Sequence, residues 1–158
     1  MDSVDMKLSY FGEGNSMVDG VLYVLTWTNG KCVMYSVDAE QEKITELGEI
    51  NIPSRIGQGW GAATDGEYLY ISNGSSSIFK VEVSPQSGMT VKSEVKVKYA
   101  NGREAKDLNE LEYVNGTIFA NVFPSMNIVN IDLEDGSVVE SWTMPDEMFD
   151  ESTDHLNR

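Results

Sequence analysis

The chain has 158 residues, 41% of them apolar and 23% charged, which gives one soluble domain room for a hydrophobic core. Eleven basic residues against 26 acidic ones leave a formal charge of −15, which argues against nucleic acid and anionic membranes as partners and favours a cationic ligand such as a free N-terminal ammonium. One cysteine, Cys32, and one histidine, His155, leave nothing from which to build a disulfide, a CxxC motif, a Ser-His-Asp triad or a multi-histidine zinc site.

MDSVDMKLSY, residues 1 to 10, carries no signal-peptide core, and no apolar run reaches the length of a membrane span. From residue 13 the pattern is that of β-structure. EGNSMVDGVLYVLTW (13–27) reads as a strand, an Asp-Gly turn and a second strand. CVMYSVDAE (32–40) and KITELGEI (43–50) follow as a third and a fourth. WGAATDGEYLYISNG (60–74) repeats the first hairpin, with SIFKVEVSP (77–85) and VKSEVKV (91–97) behind it. NELEYVNGTIFANVF (109–123) repeats it again, turning on Asn115-Gly116 and followed by NIVNIDLED (127–135) and SVVESWTM (137–144). Helical periodicity is absent throughout.

Glu13, Trp60 and Asn109 each stand nine positions before an apolar anchor, Leu22, Leu69 and Ile118. The spacing between repeats is 47 and then 49 residues. Four strands in a period of that size is the signature of propeller blades. The expected fold is therefore an all-β propeller of four-stranded blades, with blades near 11–52, 58–98 and 107–145 and the first residues of a further one at 155–158. Three blades are too few to close a ring. The expectation is a partial propeller, either a piece of a longer chain or one that closes by assembling with another chain.

Equivalent positions of a pseudo-symmetric ring face one axis. Glu13, Trp60 and Asn109 should gather at one mouth of the channel, ringed by the next equivalent set, Trp27, Gly74 and Phe123. On residue type alone each has an ordinary explanation: a solvated turn glutamate, core tryptophans, a structural amide. Their equivalence favours the set as a ligand site. Other signals carry less. GQGWGA (57–62) fits the dinucleotide pattern but leads into a strand, where that pattern needs a helix. The sequons at Asn73 and Asn115 coincide with turn sequences, and the acidic stretch 146–154 reads as a solvated connection.

FGEG, LYVLTW, GWGAATDG, ISNGSS and above all LNELEYVNGTIFAN resemble the plant and bacterial type of glutaminyl-peptide cyclotransferase, in order and spacing from about Tyr10 to Met144. The resemblance implies a five-bladed propeller that converts N-terminal glutamine of peptides and proteins to pyroglutamate with release of ammonia, using no metal or other cofactor. It implies Glu13 as the acid/base residue and Asn109 as the residue that holds the substrate. Phe11, Trp27, Trp60 and Phe123 become the substrate-binding walls, Phe123 standing where the family usually has tryptophan. It also implies a secreted, periplasmic or secretory-pathway setting, and further chain at both ends: an FTQGL-like segment before residue 1 and a TGKxWP-like motif after residue 158. Two other readings stay open on the residues: a non-catalytic propeller binding peptides, and a lactonase-like hydrolase holding Ca²⁺ between Glu13 and Asn109.

Overall fold

The computed structural model describes residues 3–145. Twelve strands run in chain order: β1 (Gly12–Val18), β2 (Val21–Thr26), β3 (Lys31–Asp38), β4 (Lys43–Asn51), β5 (Ala62–Thr64), β6 (Leu69–Ser72), β7 (Ser77–Ser84), β8 (Gly88–Lys96), β9 (Leu108–Val114), β10 (Thr117–Val122), β11 (Asn127–Asp132) and β12 (Val138–Thr143). They form three four-stranded antiparallel meanders, β1–β4, β5–β8 and β9–β12. The all-β expectation holds, and the blade-like sheets are those of a propeller. The further blade expected at 155–158 lies outside the described residues.

The turns explain the hairpins. Asp19-Gly20 and Asn115-Gly116 both take positive φ, 49° and 75° in the first, 50° and 94° in the second. That pair of left-handed residues suits the two-residue turn whose twist matches its strands. Because each turn fixes its register, β1 sets Ser16 and Val18 on one face, and β9 sets Leu111 and Tyr113 on one face.

Two apolar cores separate the three sheets. Val18, Tyr23, Leu25, Cys32 and Met34 of the first sheet pack on Ala62, Leu69, Ile71, Phe79 and Val81 of the second. Ala63, Tyr70 and Ile78, on the second sheet's other face, pack on Leu108, Leu111, Ile118, Ala120, Val129 and Ile131 of the third. The second sheet is therefore buried on both faces, and its strands are correspondingly apolar. Cys32 belongs to the first core, where burial pushes its thiol up to about 12. It is a packing residue with no thiolate at neutral pH.

The first strands of the three sheets converge. β1 touches β5, and β5 touches β9. The approach is closest where Gly14 faces Gly61 and Ala62, and where Gly61 faces Asn109 and Glu110. A Cβ on Gly14 would lie 2.4 Å from the Ala62 nitrogen, and one on Gly61 would fall onto the Asn109 carbonyl. Glycine is required here by backbone against backbone, with no flexible side chain available to yield. Gly61→Ala should therefore destabilise the chain by about 1–3 kcal/mol, the usual cost of overpacking. A lower melting temperature in thermal unfolding checks it, and an unchanged one would refute the close approach.

Candidate functional site

The convergence of β1, β5 and β9 carries Glu13, Trp60 and Asn109 to one end of the sheets, all three half-buried. Backbone hydrogen bonds tie the segment around Glu13 to both tryptophan residues. The Trp27 N–H donates to the Phe11 carbonyl at 3.0 Å, and the Gly14 N–H donates to the Trp60 carbonyl at 2.6 Å. The segment 11–14 is thus tied on either side of Glu13 to a residue bearing an indole. Trp60 is fixed in turn to β6, its N–H donating to Ser72 O and its successor accepting the Ser72 N–H, both at 3.1 Å.

The aromatic residues form one continuous wall. The Phe11 and Trp27 rings meet edge to face with centroids 6.1 Å apart, and Trp60 and Phe123 do the same at 6.3 Å. Between the pairs lies Gln58. Its Oε1 accepts from Trp27 Nε1 at 3.0 Å and from Trp60 Nε1 at 2.9 Å. Trp60 lies against Gly74, which has φ +76° and whose missing Cβ would come within 2.6 Å of the indole. At the ring position that holds Trp27 and Phe123 elsewhere, the second sheet thus has a glycine, and the Trp60 ring fills its space. Phe11 is 58% exposed, Trp27 43% and Phe123 44%, values that mark them as a surface wall rather than core.

Asn109 is held through its backbone. The Ser72 hydroxyl, fully buried, donates to the Asn109 carbonyl at 2.6 Å and accepts the Gly61 N–H at 2.8 Å. One hydroxyl therefore joins the second sheet to the third at the point where Gly61 and Asn109 meet. Among the described residues the Asn109 side-chain amide has no hydrogen-bond partner, so its donors and acceptor are available to a ligand.

Glu13 has a raised pKa, first because of burial and second because of the negative charge on Glu110. Glu110 is itself raised by burial, against the opposing pull of the Leu111 and Ala62 amides. The register of β9 against β10 slips by one residue at Asn109 and Glu110, so that Leu108 and Leu111 enter the same core and strict alternation does not set the faces of these two residues. A cavity of about 320 Å³ runs between β1, β5 and β9, lined by Asn15, Ala63, Thr64, Glu110, Glu112 and Tyr113. A second, of about 820 Å³, opens beside Phe123 between Tyr99, Arg103, Lys106 and Asn127. Neither is lined by Glu13, Trp27 or Trp60.

The structure thus links Phe11, Trp27, Trp60 and Phe123 through ring contacts and Gln58, brings the backbones of Glu13 and Asn109 to the same strand convergence, and adds three residues to the set. Ser72 and Gln58 hold its members in place, and Glu110 tunes its carboxyl. Chemically, the surface offers one proton-carrying carboxyl group of raised pKa, one free amide and an aromatic wall. Among the described residues no three His, Cys, Asp or Glu side chains converge as a metal-binding set.

The model of the glutamine cyclotransferase family matches residues 1–157. A glutaminyl-peptide cyclotransferase of Arabidopsis thaliana is 35% identical over 135 residues, which are 85% of this chain and 39% of that protein. The crystal structure of Myxococcus xanthus glutaminyl cyclase superposes with a TM-score of 0.75 at 26% identity, covering 94% of this chain and 59% of that one. A structure of Kuenenia stuttgartiensis hydrazine synthase superposes at 0.55 with 20% identity, a likeness of fold alone. The chain thus spans well under two thirds of the length of both cyclase relatives.

The Ser72 clamp gives a test of how the site is assembled. Ser72→Ala should leave the Gly61 N–H and the Asn109 carbonyl buried without their partner, at about 2 kcal/mol. Denaturant unfolding should record that loss, and a midpoint equal to wild type would contradict it.

Proposed function

Since the chain belongs to the glutamine cyclotransferase family, we propose that it supplies the acid/base and binding surface for cyclising an N-terminal glutamine to pyroglutamate with release of ammonia. The observation that carries this reading is Glu13: a carboxyl of raised pKa on a segment whose backbone is hydrogen-bonded to Trp27 and Trp60, at the strand convergence that also brings in Asn109. The partners are peptides and proteins that begin with glutamine, and their ammonium suits a chain of charge −15.

The reaction makes small demands. The substrate's α-amine attacks its own γ-carboxamide carbon, a new C–N bond closes the five-membered lactam, and the original C–NH₂ bond breaks. Attack is intramolecular, so holding the near-attack conformer supplies much of the rate. Trp27, Trp60, Phe11 and Phe123 hold the glutamine side chain's methylenes and exclude water. Asn109 hydrogen-bonds the amide or the amine. Glu13 takes the proton that the attacking nitrogen sheds and returns it to the departing nitrogen, which leaves as ammonia. The raised pKa suits a group that must first accept and then donate. Each proton and bond is accounted for without another reactant.

Incubating the chain with a Gln-initiated peptide and following ammonia tests the reading. Glu13→Gln should lower kcat by about 10²–10⁴-fold with KM little changed. Turnover that survives this substitution sinks the shuttle. Peptide binding without ammonia release would favour a binding module in place of an enzyme.

The electrostatic coupling sets the direction of a pH effect. Glu13 must be ionised to accept the first proton, so kcat/KM falls as pH drops through its pKa. Glu110→Gln removes the charge that helps to raise that pKa. The acid limb of the kcat/KM profile should then move to lower pH. A limb that stays in place or moves up would contradict the coupling.

A further inference from the structure

Gln58 enters neither the repeat equivalence nor the chemistry above, yet it touches both tryptophans. We propose that Gln58 is the positioning residue of the site, one amide oxygen setting the orientation of Trp27 and Trp60 together. The inference rests on the cyclisation reading for its kinetic consequence and on geometry for the rest.

The indole N–H is a donor and has no acceptor capacity. The atom that faces both Trp27 Nε1 at 3.0 Å and Trp60 Nε1 at 2.9 Å must therefore be the amide oxygen. A carbonyl oxygen has two lone pairs, and here one is directed to each indole. The two rings belong to different parts of the ring of blades, Trp27 just after β2 and Trp60 just before β5. Trp60 has Gly74 and the Phe123 ring against it, whereas Trp27 has Phe11 as its aromatic contact. Trp27 is 43% exposed, with the edge of the Phe11 ring as its aromatic contact. A half-exposed indole held on one edge can swing, and a hydrogen bond at its nitrogen stops the swing.

Gln58 can do this because its own backbone is anchored. Gly59 sits against Leu25 and Ile52, where a Cβ would lie 2.8 Å from the Leu25 Cβ. The preceding turn closes with the Ile56 N–H on the Pro53 carbonyl at 2.9 Å, and the Asn73 side chain donates to the Ile56 carbonyl at 2.8 Å. The amide is therefore presented from an anchored loop to the half-exposed Trp27 ring and to the Trp60 ring packed on Gly74. Fixing the rings beforehand spares the substrate the entropy of ordering them. The effect should fall on substrate binding, leaving the proton transfers at Glu13 intact.

Trp142 provides an internal reference. It stacks on Phe119 at 5.8 Å on β12, the outermost strand of its sheet. In a proton–nitrogen correlation spectrum of the chain, Gln58→Leu should shift the indole signals of Trp27 and Trp60 and leave that of Trp142 in place. Gln58→Glu keeps an acceptor oxygen and should retain hydrogen-bonded signals for both. With a Gln-initiated peptide, Gln58→Leu should raise KM about tenfold, the size expected of a lost net hydrogen bond, with kcat within about twofold. Gln58→Glu should restore most of the loss.

Indole signals that ignore Gln58→Leu, or a Gln58→Glu variant that behaves like the leucine, would overturn the proposal. A fall in kcat at unchanged KM would also overturn it. The spectrum needs no turnover, so a wild-type chain that releases no ammonia defeats the cyclisation reading and leaves the role of Gln58 decided by the indole signals.

Discussion

The close approach of three backbones governs the rest of this molecule. β1, β5 and β9 meet at Gly14, Gly61 and Asn109, near enough that a single methyl group at either glycine would collide with the next strand. Everything of chemical interest lies at that meeting point. Glu13 and Trp60 each precede one of these glycines, and Asn109 is the residue that Gly61 faces. The absence of two side chains lets three others share one surface. Ser72 then secures the contact, filling the hydrogen-bonding needs of Gly61 and Asn109 with one hydroxyl. A buried hydroxyl that joins two sheets is costly to lose, because both of its partners would stay buried without it.

The cyclisation proposed for this surface is a reaction that needs little covalent help. An intramolecular attack asks for orientation and for a proton carrier. Aromatic residues give orientation at low entropic cost, and here they form a wall that runs Phe11, Trp27, Gln58, Trp60, Phe123 across all three sheets. Glu13, the proposed proton carrier, is under two influences of the same sign. Burial and the Glu110 charge both disfavour the ionised form of Glu13. Among the described residues no three His, Cys, Asp or Glu side chains converge as a metal-binding set, and the middle position of the repeat is an indole, which cannot ligate a hard cation.

Much of this was legible in the sequence, for a definable reason. The Asp19-Gly20 and Asn115-Gly116 turns fix register, and register fixes which residues recur at equivalent points of a ring. Periodicity alone therefore grouped Glu13 with Trp60 and Asn109. Gln58, Ser72 and Glu110 escaped because they act between blades, at positions the repeat does not share. The residue equivalent to Ser72 is Leu25 in the first sheet and Asn121 in the third, so no recurrence singled out the serine. The register slip at Asn109 and Glu110 was hidden as well, since period-two alternation carries no sign of an extra residue in the strand. The Trp60 ring covering Gly74 was likewise invisible, since a missing side chain gives no pattern.

The central claim is that Glu13 is a proton carrier tuned upward by its surroundings. A carbon-13 carboxyl NMR titration of the chain, with the Glu13 resonance assigned by its loss in Glu13→Gln, measures this without depending on turnover. The account predicts a midpoint above the ordinary glutamate value of about 4.3. A midpoint at or below that value would contradict it.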